Sequence, residues 1–294
     1  MTPPSLSDAE VAAFVRDGFV RLPAAFSRSA AADCVELFWA QMPAGRLDRT
    51  DTVKLPGPIV RDDPSTWVKP KIRLWFDQAD EPVRRAMNTC RLHGAYDQLA
   101  GAGRWRAEPF FSSEVRVRFP DHGAYDVDDE WHVDHAFGLG DSVGLNLTSS
   151  LRAFLLLVLL TDVGPNDAPR MLRAGSHVAA ARVFAETGDE PLRWDEVVPR
   201  IADLDDYPIV SATGDAGDVY LCHPVIVHTA QSHHGTTPRF AAQVGLQLRE
   251  PMSLYRPDGD YSPLEQATRL GVDQASQDAG SPLRLPRAQA RSPF

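Results

Sequence analysis

Residues 131–135 read WHVDH, which places His132 and Asp134 two apart in a chain with only nine histidines. If this segment ends a strand, side chains alternate between faces, so His132 and Asp134 point one way and Val133 and His135 the other. An imidazole nitrogen and a carboxylate oxygen can then converge on one ion, and His135 is not expected to be a ligand. The third ligand must come from elsewhere, and His177, His223, His228, His233 and His234 are the candidates. His223 and His228 lie in CHPVIVH, on or just after a strand. Two imidazoles and one carboxylate on one face of an octahedron leave three positions open, as in non-heme Fe(II) oxygenases. Zinc, which favours His and Cys in four-coordinate sites, fits less well, although His2Asp hydrolase sites exist. A lone HxD is a weak signal. The elements around it carry the rest.

SLSDAEVAAFVRDGF opens with a capping box, Ser7 as N-cap and Glu10 three residues on. Val11, Phe14 and Val15 share a helical face, and Gly18 supplies the stop. VRLPAAF reads as extended, SAAADCVELFWAQM as a second helix ended by Pro43, and Glu81 to Leu92 as a third. The texture then changes. SSEVRVRF (112–119) alternates with period two, and AFLLLVLLTDV (153–163) is a continuous apolar strand. DVYLCHPVIVHTA (218–230) and FAAQVGLQLRE (240–250) are two more strands, with GPNDAP and ATGDAGD as turns. Short helices are expected near Val178–Glu186 and Asp195–Ile201. This pattern predicts a mainly β core with flanking helices, a sandwich or jelly roll rather than βαβ units. One domain is expected over 1–294: a mostly helical part to 110, a β core over 111–250 and a C-terminal extension over 251–294. The last fifteen or so residues, rich in Pro and Arg, are expected to be poorly ordered.

The chain has 294 residues, 43% apolar and 24% charged, enough to bury a core without disulfide or metal staples. A formal charge of −10 argues against a nucleic-acid surface. Cys34, Cys90 and Cys222 are odd in number, without CxxC, so neither a disulfide scaffold nor a Cys-type zinc site is expected. The N-terminus shows no basic and apolar leader, and the longest apolar run falls far short of the ~20 residues that span a bilayer. A cytoplasmic protein without membrane association is expected, its oligomeric state left open.

In order and spacing these elements resemble the phytanoyl-CoA dioxygenase family of Fe(II)/2-oxoglutarate-dependent oxygenases. LSDAEVAAFVRDGFVRLP is similar to that family's opening helix and turn, WHVD to its metal motif, and LLLVLLTDVGPNDAPRMLRAGSH to its apolar strand and closing GSH. GDAGDVYLCHPVIVH resembles the segment that ends in the distal ligand, and TTPRFAAQ the Pro-Arg that follows. The resemblance implies a double-stranded β-helix, with Fe(II) held by His132, Asp134 and His228. His228 lies 96 residues after His132, and Arg239 follows it by 11. It further implies that Arg239 grips the far carboxylate of 2-oxoglutarate with two parallel hydrogen bonds. The reaction implied is oxidation of a C–H bond, hydroxylation by default, using O2 and giving succinate and CO2. Related halogenases replace the carboxylate by Gly or Ala, so Asp134 argues for oxygenation.

Three departures bear on secondary co-substrate contacts. Thr229-Ala230 stands where the family often has Gly-Ser, residues 154–160 are almost wholly aliphatic where relatives often offer a hydroxyl, and Ala174 replaces a proline. Trp131, Phe137 and His233 are candidates for a substrate pocket. His177 and His223 read as structural. Arg116 and Arg118 share a face opposite Val115, Val117 and Phe119, which puts the valines in the core and the arginines in solvent or an ion pair; the sharper alternative makes them anchors for an anionic substrate. DVDDE (126–130) reads as a solvated loop. Competing functions are a non-oxidative metal enzyme on the same core, a non-catalytic cupin-like binding protein, and a protein hydroxylase, for which no feature speaks. A small-molecule substrate is expected.

Overall fold

The computed structural model describes residues 4–42, 59–67, 71–77, 79–120, 130–134, 137–139, 142–144, 146–187, 192 and 194–279. The 280–294 tail and most of the DVDDE run lie outside them.

The chain opens with α1 (Asp8–Asp17), β1 (Phe19–Leu22) and α2 (Arg28–Gln41), followed by β2 (Lys71–Trp75), α3 (Glu81–Met87) and α4 (Cys90–Ala100). Next come β3 (Trp105–Arg118), β4 (Phe137–Leu139), β5 (Ser142–Gly144), β6 (Phe154–Leu159), β7 (Met171–Arg173), α5 (Ser176–Thr187) and α6 (Trp194–Val197). β8 (Ile209–Ser211), β9 (Val219–Cys222), β10 (His228–Thr229), β11 (Arg239–Leu248) and α7 (Pro263–Asp278) complete it. Both signals read for α1 are present: the Ser7–Glu10 capping box, and Gly18 in a left-handed conformation that only a residue without Cβ adopts cheaply.

Six strands form an antiparallel sheet in the order β1-β9-β6-β11-β3-β2, and β10-β7-β8 form a second. β6 lies between β9 and β11 and is buried along its whole length. Its odd and even residues serve different cores, which explains a continuous apolar run in place of alternation. Leu155, Leu157 and Leu159 meet Leu172 of the smaller sheet and Ile226 of the turn before β10, between the two sheets. Phe154, Leu156 and Val158 face the other way, into a core shared with Phe14, Phe184 and Val272 of the helices. Two antiparallel sheets closed on an apolar interior, with helices on the outer face, make a double-stranded β-helix in an α+β chain.

Several expectations need correction. The single helix expected over Glu81–Leu92 is two, because the chain turns at Asn88 and Thr89 caps α4 by accepting the Leu92 N–H. β3 begins at Trp105, earlier than alternation suggested, since β11 pairs it along that length. The C-terminal extension contains α7, which starts with its own capping box of Ser262 and Glu265 and packs against α5. Arg118 is not in solvent but fully buried, because β3 is an inner strand between β11 and β2 and its Arg116/Arg118 face turns toward the interior beside Arg239. No described helix is long and apolar enough to cross a membrane.

Candidate metal centre and its cavity

His132 and His228 are brought together by the backbone. The His132 N–H donates to the His228 carbonyl at 3.0 Å, and the His228 N–H returns the bond at 2.9 Å. On its other side His228 pairs with Leu172 of β7, so one strand residue ties the WHVD segment to the smaller sheet. The turn before it, closed by the Ile226 N–H on the His223 carbonyl at 3.1 Å, fits a segment that Pro224 keeps out of a regular ladder.

Each ring is then oriented by its own neighbour. His132 Nδ1 lies 2.7 Å from the Glu130 carbonyl and His228 Nδ1 lies 3.1 Å from the Ile226 carbonyl. A carbonyl only accepts, so both Nδ1 atoms carry the proton and both Nε2 atoms keep their lone pairs. Those lone pairs face Asp134: Oδ1 is 3.9 Å from His132 Nε2 and 3.7 Å from His228 Nε2. The three donor atoms lie within 4.8 Å of one another. The other carboxylate oxygen is taken by protein, since Oδ2 accepts from Arg152 Nη1 at 2.7 Å and from Gln243 Nε2. Val133 points the other way and is buried in the core, as the alternation requires.

The electrostatics suit a cation. Burial pushes the His228 imidazole down to about 3, helped by the neighbouring His132, and burial also lowers His132. Burial opposes ionisation of Asp134 too, but Arg152 and the two imidazoles outweigh it and hold the carboxyl well below its usual range. Neutral rings and an ionised carboxylate are the protonation states a metal demands. His228 Nε2 is buried and has no hydrogen-bond partner among the described residues, a cost of about 1–3 kcal/mol that coordination would remove. Donors bound to one ion at right angles sit about 3 Å apart. The observed separations are a little wider, so the side chains fit a small divalent cation with a slight contraction.

Beside this cluster is a narrow cavity. Its wall is aliphatic, with Leu157 and Leu159 from β6 and Ala241 from β11, and its polar groups are Arg116, Arg170, Arg239 and Gln243. Arg239 is buried; its Nη2 donates to the Ala168 carbonyl at 3.0 Å, and its Nε has no hydrogen-bond partner among the described residues. Burial first, then the charges of Arg118 and Arg116, bring its guanidinium down to about 9. Gln243 connects the cavity to the metal cluster, because its Oε1 accepts from Arg170 Nη2 at 3.0 Å while its Nε2 binds Asp134.

A family model for phytanoyl-CoA dioxygenase matches residues 14–241. The chain belongs to the phytanoyl-CoA dioxygenase family. Among solved structures of similar fold is the carbocyclase SnoK from nogalamycin biosynthesis, 19% identical, with 98% of this chain and 96% of that chain covered at a TM-score of 0.61. The epimerase SnoN from the same biosynthesis is 21% identical over 86% of each chain, at 0.59. EctD from S. alaskensis with bound iron is 20% identical over 98% of this chain and 90% of that one, at 0.54. Identities this low speak to the fold alone. A search of curated protein sequences gave no match.

Within this family member, the other singled-out residues fall as follows. Trp131 is half-buried against the core, with the Arg173 guanidinium 4.4 Å from its ring centre. Phe137 lies in β4, but its side chain, like all of His135, is outside the described residues. His233 is buried and bound within its own loop: Nε2 donates to the Thr237 carbonyl at 2.8 Å and Nδ1 accepts the Gly235 N–H at 3.0 Å. It is not among the residues that line the cavity. His223, the rival ligand, is buried with Nε2 2.9 Å from Thr268 Oγ1, and His177 Nε2 donates to the Val15 carbonyl at 3.2 Å. Arg152, Arg170 and Gln243 were not singled out from sequence. Gln243 had one available signal: it lies four residues after Arg239, on the same strand face.

Proposed function

We propose that the chain is an Fe(II)- and 2-oxoglutarate-dependent dioxygenase that oxidises a C–H bond of a small molecule in the cytoplasm, releasing succinate and carbon dioxide. The observation that carries this reading is the convergence of two imidazole nitrogens and one carboxylate oxygen beside a cavity armed with arginine. His132 and His228 present Nε2 and Asp134 presents Oδ1, and these three atoms would hold the ion while leaving it able to take further ligands. Bound there, iron and the co-substrate supply dioxygen activation and the oxidising equivalents for the C–H bond.

The remaining work is done by the chain. Backbone carbonyls of Glu130 and Ile226 fix the ring tautomers, and Arg152 with Gln243 keeps Asp134 ionised and turned with one oxygen toward the ion. Arg239 offers its unpartnered buried Nε to the distal carboxylate of the diacid, in a cavity whose leucines exclude water and so strengthen the pairing. Hydroxylation is the outcome we assign. The SnoN structure holds Fe3+, α-ketoglutarate and nogalamycin RO, and an EctD structure holds 2-oxoglutarate and 5-hydroxyectoine. Those companions support a small-molecule substrate.

The test is anaerobic reconstitution with Fe(II) followed by 2-oxoglutarate. A weak visible absorption band should appear, and admission of oxygen should release succinate slowly without substrate. His132→Ala should lose both signals, and Arg239→Ala should raise the 2-oxoglutarate requirement at least tenfold while metal stays bound. Succinate release unaffected by His132→Ala would refute the reading.

A further inference from the structure

Arg239 alone does not account for the charge aimed into the cavity, because Arg116 and Arg170 line it as well. The Arg116 guanidinium is ion-paired with Glu114 on the same strand. Arg170 reaches the same space from another part of the chain. It approaches from the start of the smaller sheet, its backbone carbonyl accepting the Ala212 N–H at 2.7 Å. Its side chain is buried and donates to the Gln243 amide, a neutral acceptor, at 3.0 Å.

We propose that Arg170 is a second cationic anchor for the distal carboxylate of the co-substrate and, through Gln243, a positioning residue for Asp134. This rests on the 2-oxoglutarate reading above and specifies how this chain meets it. Three observations support it. First, among the described residues no Ser, Thr or Tyr lines the cavity, whose apolar wall includes Leu157, Leu159, Ala168, Pro169, Ala212 and Ala241. A carboxylate placed there must take its hydrogen bonds from guanidinium or amide groups, and a planar guanidinium suits a carboxylate. Thr229, where a hydroxyl could have helped, is not in the wall, and its Oγ1 is directed at the Ala230 carbonyl at 3.4 Å.

Second, Arg170 and Arg239 enter from different sheets yet line the same space, so they can grip one carboxylate from two sides. Burial and then the charges of Arg116, Arg118 and Arg239 push Arg170 well below its usual range. An anionic guest relieves that repulsion. Third, the two ends of the Gln243 amide are assigned by their partners, Oε1 to the guanidinium and Nε2 to the Asp134 carboxylate. A co-substrate that fixes Arg170 therefore fixes the amide, and the amide fixes the oxygen that Asp134 turns from the ion.

The experiment uses the full chain loaded with Ni(II), which does not turn over, and measures binding of two probes by calorimetry. 2-Oxoglutarate and 2-oxopentanoate share the chelating end and the five-carbon length, and only the former has a distal carboxylate. The wild type should prefer 2-oxoglutarate by about a hundredfold or more, and Arg170→Gln should cut that preference about tenfold, 2-oxopentanoate binding falling by far less than 2-oxoglutarate binding. Arg170→Lys, which keeps the charge and guards against a folding defect in the first variant, should cut it by less. Gln243→Leu should weaken Ni(II) itself by about tenfold. A preference in Arg170→Gln equal to the wild type's overturns the inference while leaving Arg239 as sole anchor. A wild type that binds neither acid overturns the co-substrate reading, and the inference with it.

Discussion

Asp134 gives Oδ2 to Arg152 and Gln243 and leaves Oδ1 facing the two imidazoles, and that division is the most consequential detail at the residue scale. Arg152 and Gln243 both bind Oδ2. Arg152→Met should therefore lower divalent-metal affinity about 10- to 100-fold, the usual effect of removing a partner behind a ligand. Titration with Co(II) or Ni(II) reads this directly, and an unchanged Kd would exclude the role given to Arg152. His228→Ala should abolish stoichiometric binding in the same titration, because it removes the buried Nε2 that faces the cluster. His132 and Asp134 stand out in the sequence as an HxD pair, whereas spacing left His228 one of five candidate histidines and only the family resemblance singled it out. Arg152 and Gln243 sit in runs of ordinary composition, and only folding brings them 18 and 109 residues across the chain to Asp134. Arg118 misled for a related reason. Alternation shows that two faces differ, but not that the polar one lines an interior.

Between elements, the least anticipated contact is α7 against α5. The capping box SPLE at Ser262–Glu265 was available in the sequence and marks the start of α7. Its amphipathic pattern was hidden by small residues, Ala267, Gly271 and Ala275, that do the packing. A Cβ at Gly271 would collide with the Val178 carbonyl and crowd Ala181 at 2.8 Å. In an exposed helix Gly→Ala stabilises by about 1 kcal/mol. Here Gly271→Ala should destabilise by about 1–3 kcal/mol, since overpacking against backbone forces the helices apart. Urea unfolding of the two proteins decides the sign. β6 was the clearest strand in the sequence for the opposite reason: burial on both faces leaves an uninterrupted apolar run, and Leu156→Ala should cost about 2–5 kcal/mol.

For the molecule as a whole, two buried histidines outside the cluster set an acid limit. His177 and His223 lie with ring centres 5.0 Å apart between α1 and the core, His177 facing the Val15 carbonyl with Asp17 nearby. Burial brings His177 from 6.5 down to about 4, and burial with the His177 charge lowers His223 further. A depressed imidazole is neutral in the folded state and protonates first in the unfolded one. Its contribution is whole above pH 6.5 and drains away as pH falls toward 4. For His177 the loss between pH 7.5 and 5 comes to about 2 kcal/mol. His177→Gln should lose correspondingly less stability over that interval, and equal losses in both proteins would rule the assignment out. The paired backbone bonds between His132 and His228 carry a further implication, for the order of events in the cell. A ribosome releases His132 long before it has made His228, 96 positions downstream, and the rung joining them closes only when both sheets are in place. The three donor atoms therefore meet only late, after both segments have been made and the sheets that carry them have closed.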